Sequence, residues 1–177
     1  MEQGILISGT GGQGIVAAGE FLAEALFRAG YEVVNTRSYG SEARGGSCRS
    51  EVLVSDSDLY DLQLDEADIL IAMSRSAYRR YIGRARKHGL VLVDAEVLDK
   101  LGEAEHRLDV KIVTVPASET AVKLGNPIVA NMVLLGALAK LSEYIELDRL
   151  KDAVKILMRP SMRDINLRAL ESGYASV

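Results

Sequence analysis

The chain has 177 residues, 48% of them hydrophobic, which is enough for the core of one α/β domain and too short for two comfortable ones. Its 21 basic and 25 acidic residues are intermixed and give a net charge of −4, which argues against nucleic-acid binding. We expect a single domain over residues 1–177.

The first predicted elements are a strand, a glycine-rich turn and a helix. Residues 5–8 are typical of a buried strand, and apolar residues at three- and four-residue steps predict a helix over residues 14–29 that Gly30 ends. The turn between them consists of Gly9, Thr10, Gly11, Gly12, Gln13 and Gly14. In this context the pattern G-x-G-x-x-G predicts backbone N–H groups that approach a phosphate at the start of a helix.

A second strand is predicted over residues 31–35, which begins a βαβ arrangement. An NAD site places an Asp or Glu at the end of this strand to bind the ribose hydroxyls, but Asn35, Thr36 and Arg37 stand there. Arg37 could serve the 2′-phosphate of NADP, although a lone arginine after a strand is more often solvated. The sequence therefore disfavours a nicotinamide dinucleotide.

A long polar loop over residues 38–47 follows and contains Tyr39, Arg44, Gly45 and Gly46. It is either a plain surface connection or a functional loop, because loops of this length in a compact domain are usually functional or disordered. Tyr39 suits stacking, Arg44 suits anion binding, and the two glycines permit close backbone approach. We favour the functional interpretation.

Residues 48–54 alternate as a strand that could pair antiparallel to the second strand and make the sheet mixed. Cys48 is the only cysteine, which excludes an internal disulfide and a cluster held by four thiolates of this chain. We expect Cys48 to be semi-buried, since a reactive thiol needs an electropositive neighbourhood. His88 and His106 lack ligand spacing, so no metal site is expected.

Continuous apolar runs at residues 68–73, 89–94 and 111–115 predict strands that are buried on both faces of a parallel sheet. A basic helix is predicted over residues 76–87, with Tyr78, Tyr81 and Ile82 facing inward; its exposed side could be solvated or could dock an acidic partner. The alternation predicts an α/β fold, namely a three-layer Rossmann-like sandwich with a mostly parallel sheet and a helical C-terminal third.

In that C-terminal third, Pro116 begins a helix that ends before Pro127. Residues 128–141 are apolar nearly all round, which indicates a helix central to the core or covered by another subunit. Exposed apolar area would favour self-association, so the isolated chain is expected to be a homodimer. An amphipathic helix from Leu147 to Leu157 and a last short helix capped by Ser161 complete the prediction.

The N-terminus gives no sign of export. Glu2 is charged and a strand begins by Ile5, which leaves no basic and apolar regions for a signal peptide. No apolar run reaches the roughly 18 residues that span a bilayer. We expect a cytoplasmic protein without membrane contact.

Three segments carry a family resemblance: residues 9–14, residues 39–46, and residues 124–126 with 130–132. In order and spacing they resemble the γ subunit of 2-oxoacid:ferredoxin oxidoreductases, over most of the chain. The second segment is the most specific of the three. Its one departure is Ser41, where proline would be expected; this should soften the loop and leave its anion-binding groups.

The resemblance implies a complex that oxidatively decarboxylates a 2-oxoacid to an acyl-CoA and reduces ferredoxin, using thiamine diphosphate, Mg²⁺, coenzyme A and iron–sulfur clusters. This chain lacks both the cysteines for a cluster and a Gly-Asp-Gly segment followed by paired asparagines that would hold Mg²⁺–thiamine diphosphate. We therefore expect these cofactors in the partner subunits (alpha, beta and in some complexes delta), and no catalytic residue here.

For this chain the resemblance leaves an assembly role and, as a hypothesis, contact with coenzyme A. The turn amides of residues 9–14 and Arg44 would bind phosphate, Tyr39 would stack on adenine, and Gly45 and Gly46 would allow close approach. Two alternatives stay open: a free-standing NAD(P)-type domain and the beta subunit of an indolepyruvate oxidoreductase. The sequence does not choose among pyruvate, 2-oxoglutarate, branched-chain oxoacids and aryl pyruvates.

Overall fold

A computed structural model describes residues 1–39, 46–60, 62–102 and 105–177, with the backbone alone for Tyr39. The strands are β1 (Glu2–Thr10), β2 (Glu32–Tyr39), β3 (Ser47–Ser55), β4 (Ala67–Ala72), β5 (Ala85–Asp94) and β6 (Lys111–Val115). The helices are α1 (Ile15–Arg28), α2 (Arg75–Tyr81), α3 (Ala95–Leu98), α4 (Ala117–Lys123), α5 (Ala130–Leu141), α6 (Leu147–Leu157) and α7 (Pro160–Ala175). Short 3-10 helices at Ile82–Arg84 and Pro127–Val129 precede β5 and α5.

The sheet is mixed because β3 runs against its neighbours. The described strands lie in the order β2-β3-β1-β4-β5-β6. β3 pairs antiparallel with both β1 and β2, whereas β1, β4, β5 and β6 pair in parallel. The predicted mostly parallel sheet and the predicted antiparallel strand after the long loop are both confirmed.

Alternate strand residues enter two separate cores, one on each face of the sheet. In β1, Ile5 and Ile7 join a large core with residues of α1, α4, α5, α6 and α7, whereas Leu6 joins a smaller core with residues of α2 and α3. The predicted inward positions Tyr78 and Tyr81 are buried in this smaller core. The three-layer α/β architecture and the helical C-terminal third are confirmed.

Helix α5 is central to the large core, which was the first of the two predicted explanations for its apolar sequence. Residues from Ala130 to Ala139 are all buried. Gly136 lets the backbone of α5 approach α7, because a Cβ there would lie 2.0 Å from the carbonyl oxygen of Leu170. Since the chain itself buries this helix, the reason given for a homodimer is removed.

The boundaries of two elements in the first half of the chain differ from the prediction. The basic helix ends at Tyr81, not residue 87, because the chain enters β5 at Ala85 to pair with β4. β5 loops out between Ala85 and Leu90, where the register against β4 shifts. β2 continues to Tyr39 instead of ending at Asn35, because it pairs with β3 along its length.

The last helix is also different from the prediction. It has 16 residues and begins with Pro160 in its first turn, preceded by Arg159 at the N-cap. Proline is favoured at the first helical position because an N–H there would have no acceptor within the helix, so its absence costs nothing. Ser161 is therefore inside the helix and is not its cap. No helix among the described residues is long and apolar enough to cross a bilayer.

Candidate functional site

The glycine turn lies where the chain leaves neighbouring strands towards opposite faces of the sheet. β1 and β4 are parallel neighbours. Helix α1, which follows β1, packs in the large core, and α2, which follows β4, packs in the smaller one. In open α/β sheets such a divergence marks the crevice outside the carboxyl ends of the strands where ligands bind.

Gln13 fixes the turn across this crevice. Its Oε1 accepts a hydrogen bond from the backbone N–H of Thr10 at 2.8 Å, and its Nε2 donates to the carbonyl oxygen of Met73 at 2.9 Å. The side chain thus closes the turn and joins it to the end of β4. The sequence predicted a role for the backbone N–H of Gln13 but none for its side chain. The glycine-rich pattern does not show which distant carbonyl the side-chain amide binds.

The start of α1 is held by α5. Gly14 has a positive φ of 71°, and a Cβ there would lie 2.5 Å from Nδ2 of Asn131. That Nδ2 donates to the carbonyl oxygen of Gly14 at 3.0 Å, while Oδ1 accepts from the N–H of Met132 at 2.8 Å. Sequence reasoning used Asn131 only to recognise the family. The sequence did hold a signal for this role, because Asn131 is a polar residue in an otherwise apolar helix. Buried polar groups are normally hydrogen-bonded, so Asn131 could have been expected to bind another part of the chain.

The first turn of α1 offers hydrogen-bond donors to a ligand. Its first intrahelical bond runs from the N–H of Ala18 to the carbonyl oxygen of Gly14 at 2.9 Å. The N–H groups of residues 15–17 precede that bond and have no acceptor within the helix. Gly14 contributes no side-chain cap. Together with the positive end of the helix dipole, these donors favour an anion such as a phosphate.

The two predicted glycine-rich stretches meet at this place. The N–H of Gly11 donates to the carbonyl oxygen of Gly46 at 3.1 Å. The strands that lead to them pair in register, with Thr10 opposite Ser47. The structure therefore brings Gly46 to the turn of residues 9–14. The predicted site residues Arg44 and Gly45 lie outside the described residues, as does the side chain of Tyr39.

Cys48 borders the turn but faces away from the crevice. It lies opposite Gly9 in the sheet, is only 6% exposed and belongs to the large core. Burial raises the pKa of its thiol. Cys48 was expected to be semi-buried and is in fact buried, and an activated thiolate does not fit these surroundings.

The carboxylate of Asp94, at the same end of the sheet, serves the local structure. It is 2% exposed and accepts hydrogen bonds from the Ser118 hydroxyl, from the Ser118 N–H at 2.9 Å and from the Glu96 N–H at 3.3 Å. These bonds start α3 and join β5 to α4. The described part of the chain has no group of three His, Cys, Asp or Glu side chains placed to hold a metal.

The order of the strands does not suit a nicotinamide dinucleotide. In a dinucleotide-binding domain the second strand lies beside the first, so that its end meets the ribose. Here β3 separates β2 from β1. Asn35 lies inside β2 and accepts from the hydroxyl of Ser50 at 2.8 Å, and Arg37 is paired with Glu20 at 2.6 Å.

The fold and the turn define a Rossmann-like domain with a glycine turn where its chain leaves β1 for α1. Residues 4–176 match the family described as pyruvate ferredoxin/flavodoxin oxidoreductase, and the chain belongs to that family. It is 38% identical to the 2-oxoglutarate synthase subunit KorC of Methanocaldococcus jannaschii, over 98% of this chain and 93% of KorC. It is 30% identical to the indolepyruvate oxidoreductase subunit IorB of Thermococcus kodakarensis, over 97% of this chain and 94% of IorB.

Two solved structures share the whole fold. The gamma subunit of a keto/oxoacid ferredoxin oxidoreductase from Geobacter sulfurreducens superposes with a TM-score of 0.84 at 31% identity, covering 98% of this chain and 97% of that one. A 2-oxoglutarate:ferredoxin oxidoreductase from Magnetococcus marinus, with 2-oxoglutarate, coenzyme A and succinyl-CoA bound, gives 0.88 at 29% identity, covering 98% of this chain and 30% of that one. The chain is thus a gamma subunit of a 2-oxoacid:ferredoxin oxidoreductase, as its resemblance implied.

Proposed function

We propose that this chain, as one domain over residues 1–177, completes a complex that converts a 2-oxoacid and coenzyme A to an acyl-CoA and reduces ferredoxin, and that it contacts coenzyme A in that complex. The hydrogen bond between Gly11 and Gly46 carries the proposal, because it brings the last residue of the second glycine-rich stretch to the glycine turn. The coenzyme A bound in the Magnetococcus marinus enzyme supports the choice of ligand.

Coenzyme A carries phosphate groups, an adenine ring and a flexible thiol arm, and each predicted site residue has a part that fits one of these. The N–H groups of Thr10, Gly11 and Gln13 already have acceptors within the chain, so the other amides of the turn and those at the start of α1 would donate to phosphate. Arg44 would add a charged donor, Tyr39 a stacking face for adenine, and Gly45 with Gly46 room for close approach. This role is binding and orientation, with no catalytic side chain in this chain.

We place the thiamine diphosphate, Mg²⁺ and iron–sulfur clusters in the partner subunits. The single cysteine is buried and its pKa is raised, so it does not fit cluster ligation. The alpha and beta subunits, with delta where present, would hold these groups and dock ferredoxin. We propose 2-oxoglutarate as the first substrate to test, because identity is higher to KorC than to IorB. An aryl pyruvate is the second candidate.

The ligand role is tested with Gly11→Asp in the reconstituted complex. Among the described atoms a Cβ at Gly11 would meet only the carbonyl oxygen of Gly46, at 4.0 Å, so the carboxylate fits beside them and would repel a phosphate. Gly83→Asp is the matched control, because no described atom lies within 4 Å of a Cβ there. We expect the KM for coenzyme A to rise by about tenfold or more, a change of about 1.4 kcal/mol, and the control to match the wild type.

Arg44→Ala provides a second variant, with Arg149→Ala on α6 as its control. Calorimetric titration of coenzyme A into the isolated chain and into the complex measures affinity without turnover. Unchanged affinity and unchanged KM in both the Gly11 and the Arg44 variants would overturn the ligand role. Copurification of the partner subunits and a panel of 2-oxoacids with a viologen acceptor then test the complex and its substrate.

A further inference from the structure

Arg80 lies at the rim of the sheet where the glycine turn stands. Its Nη1 donates to the hydroxyl oxygen of Ser47 at 2.8 Å. Ser47 begins β3 and lies opposite Thr10 in the sheet. The residue before it is Gly46, whose carbonyl oxygen accepts from the N–H of Gly11 at 3.1 Å. The Ser47 hydroxyl therefore holds the guanidinium beside the contact between the glycine turn and the end of the second glycine-rich stretch.

Arg80 approaches this rim from the face of the sheet that lies opposite α1. Successive side chains of a strand point to opposite faces, and Cys48 enters the large core. The side chain of Ser47 consequently points to the other face, which α2 covers. The first residue of α1, Ile15, is buried in the large core. The glycine turn thus has the N–H groups that begin α1 on one face and the Arg80 guanidinium on the other.

The positive charge of Arg80 is not matched by a carboxylate of the described residues. Arg80 is exposed, and its hydrogen bond there is to the neutral hydroxyl of Ser47. Its neighbour Arg79, by contrast, pairs with Glu105. The Arg80 guanidinium lies 5.6 Å from the centroid of the Tyr81 ring, a cation–π contact that stabilises its position. The Ser47 hydroxyl accepts from Arg80 and keeps its own hydrogen for a second partner, so the two side chains together offer donors to one anion.

Coenzyme A carries two kinds of phosphate, and the two faces of the rim suit different ones. Its diphosphate is part of the chain that leads to the thiol arm, and backbone N–H groups at the start of a helix suit such a group. Its 3′-phosphate is a monoester on the ribose, and a phosphate monoester is close to doubly charged at neutral pH. A guanidinium binds a group of this kind through two parallel charged hydrogen bonds.

We propose that Arg80, together with Ser47, binds the 3′-phosphate of coenzyme A and so makes the site prefer coenzyme A to its 3′-dephospho form. This assignment rests on the proposed function, because it requires coenzyme A at the glycine turn. The position of Arg80 beside that turn rests on its bond to Ser47 and on the bond between Gly46 and Gly11. Arg80 selects and holds the ligand and takes no part in the chemical step.

The assignment is tested by calorimetric titration of coenzyme A and of 3′-dephospho-coenzyme A into the reconstituted complex. We expect the wild type to bind coenzyme A about tenfold or more tightly than the dephospho form, and Arg80→Gln to bind the two ligands equally. The affinity for the dephospho form should be the same in both proteins, because that ligand lacks the group that Arg80 contacts. Arg79→Gln removes the same charge from the next position of α2 and should keep the wild-type preference.

The outcomes separate this assignment from the proposed function. If the wild type shows no preference, if Arg80→Gln keeps it, or if Arg80→Gln weakens both ligands equally, the assignment of the 3′-phosphate is overturned. Weaker binding of both ligands by Gly11→Asp leaves the proposed function standing in each of these cases. An equal loss of preference in Arg79→Gln also overturns the assignment, because the effect then belongs to the charge of α2 as a whole. If the Arg80, Gly11 and Arg44 variants all bind both ligands as the wild type does, the assignment and the ligand role fail together.

Discussion

The side-chain amide of Asn131 donates to the carbonyl oxygen of Gly14 at 3.0 Å, and so ties the first turn of α1 to the central helix α5. The two residues are 117 positions apart. Gly14 could not carry a side chain here, because its φ is 71° and a Cβ would collide with the Asn131 amide. The orientation of the glycine turn thus depends on the packing of the large core.

The first prediction concerns this bond. Asn131→Asp keeps the oxygen that accepts from Met132 but loses the donor to Gly14, and it places a carboxylate against a carbonyl oxygen. We expect a loss of about 1–3 kcal/mol in the free energy of unfolding, measured by urea denaturation. Asn126→Asp is the control, because the Asn126 oxygen accepts from Ile128 and that bond survives the change. Equal stabilities of the two variants would contradict the prediction.

The second prediction concerns the contact between α5 and α7. A Cβ on Gly136 would lie 2.0 Å from the carbonyl oxygen of Leu170, and one on Gly173 would lie 1.8 Å from that of Val133. Backbone atoms cannot move aside as a flexible side chain can. We expect Gly136→Ala and Gly173→Ala each to destabilise the chain by about 1–3 kcal/mol or more in thermal and urea unfolding.

Gly83→Ala is the control for these two substitutions, because no described atom lies within 4 Å of a Cβ at that position. A surface change without such a clash should stay within about 0.5 kcal/mol of the wild type. If Gly136→Ala unfolds at the same urea concentration as Gly83→Ala, the close approach of the two helices is not as described.

The third prediction is a pH dependence. The Arg79 guanidinium, with one N–H 2.6 Å from the Glu105 carboxylate, lowers the pKa of Glu105 from 4.5 to about 2. A lowered pKa in the folded state means that this pair contributes stability above the ordinary pKa and loses it as the pH falls from 4.5 towards 2. Carboxyl-carbon NMR titration should give a midpoint near 2.

Replacement of Arg79, which pairs with Glu105, provides the control for that titration. In Arg79→Gln the charge and the paired donors are gone, so the Glu105 midpoint should return towards 4.5. A wild-type midpoint already at 4.5 would show that the pair does not persist in solution.

The fourth prediction concerns the reactivity of Cys48. Burial raises the pKa of its thiol, so the thiolate fraction at pH 8 should be small and access to it poor. We expect a disulfide reagent to label the native chain at least about tenfold more slowly than the chain in urea. Ser57→Cys in a Cys48→Ser background gives an exposed reference thiol, and equally fast labelling of both thiols in the native state would refute the prediction.

Much of the fold could be predicted because its signals are local. The apolar run that became β4 is typical of a strand buried on both faces, and β4 is buried in this way. The run at residues 111–115 was also predicted to be buried on both faces, but it forms the partly exposed edge strand β6. The alternation at residues 48–54 correctly predicted a strand, although β3 lies inside the sheet and is buried on both faces. The glycine turn could be placed for the same reason, since it stands between a strand and a helix. The inward positions Tyr78 and Tyr81 followed from their spacing.

The features that the sequence did not predict depend on contacts between distant residues. Gln13 reaches Met73, 60 positions away, and no local pattern identifies that partner. The residues after Tyr81 were compatible with a helix, and only pairing with β4 turns them into β5 from Ala85 onwards. Pro160 was a start signal that outweighed Ser161, so the last helix was predicted to begin too late.

The reversed direction of β3 determines which part of the chain lies beside the glycine turn at the rim of the sheet. Because β3 runs back towards the start of β1, the end of β2 and the start of β3 lie at the same rim as the glycine turn, where Gly46 meets Gly11. Changes in the length or composition of the segment between these two strands would leave the register of the buried strands intact. One antiparallel strand therefore lets this scaffold vary the rim beside the glycine turn without a change in its interior.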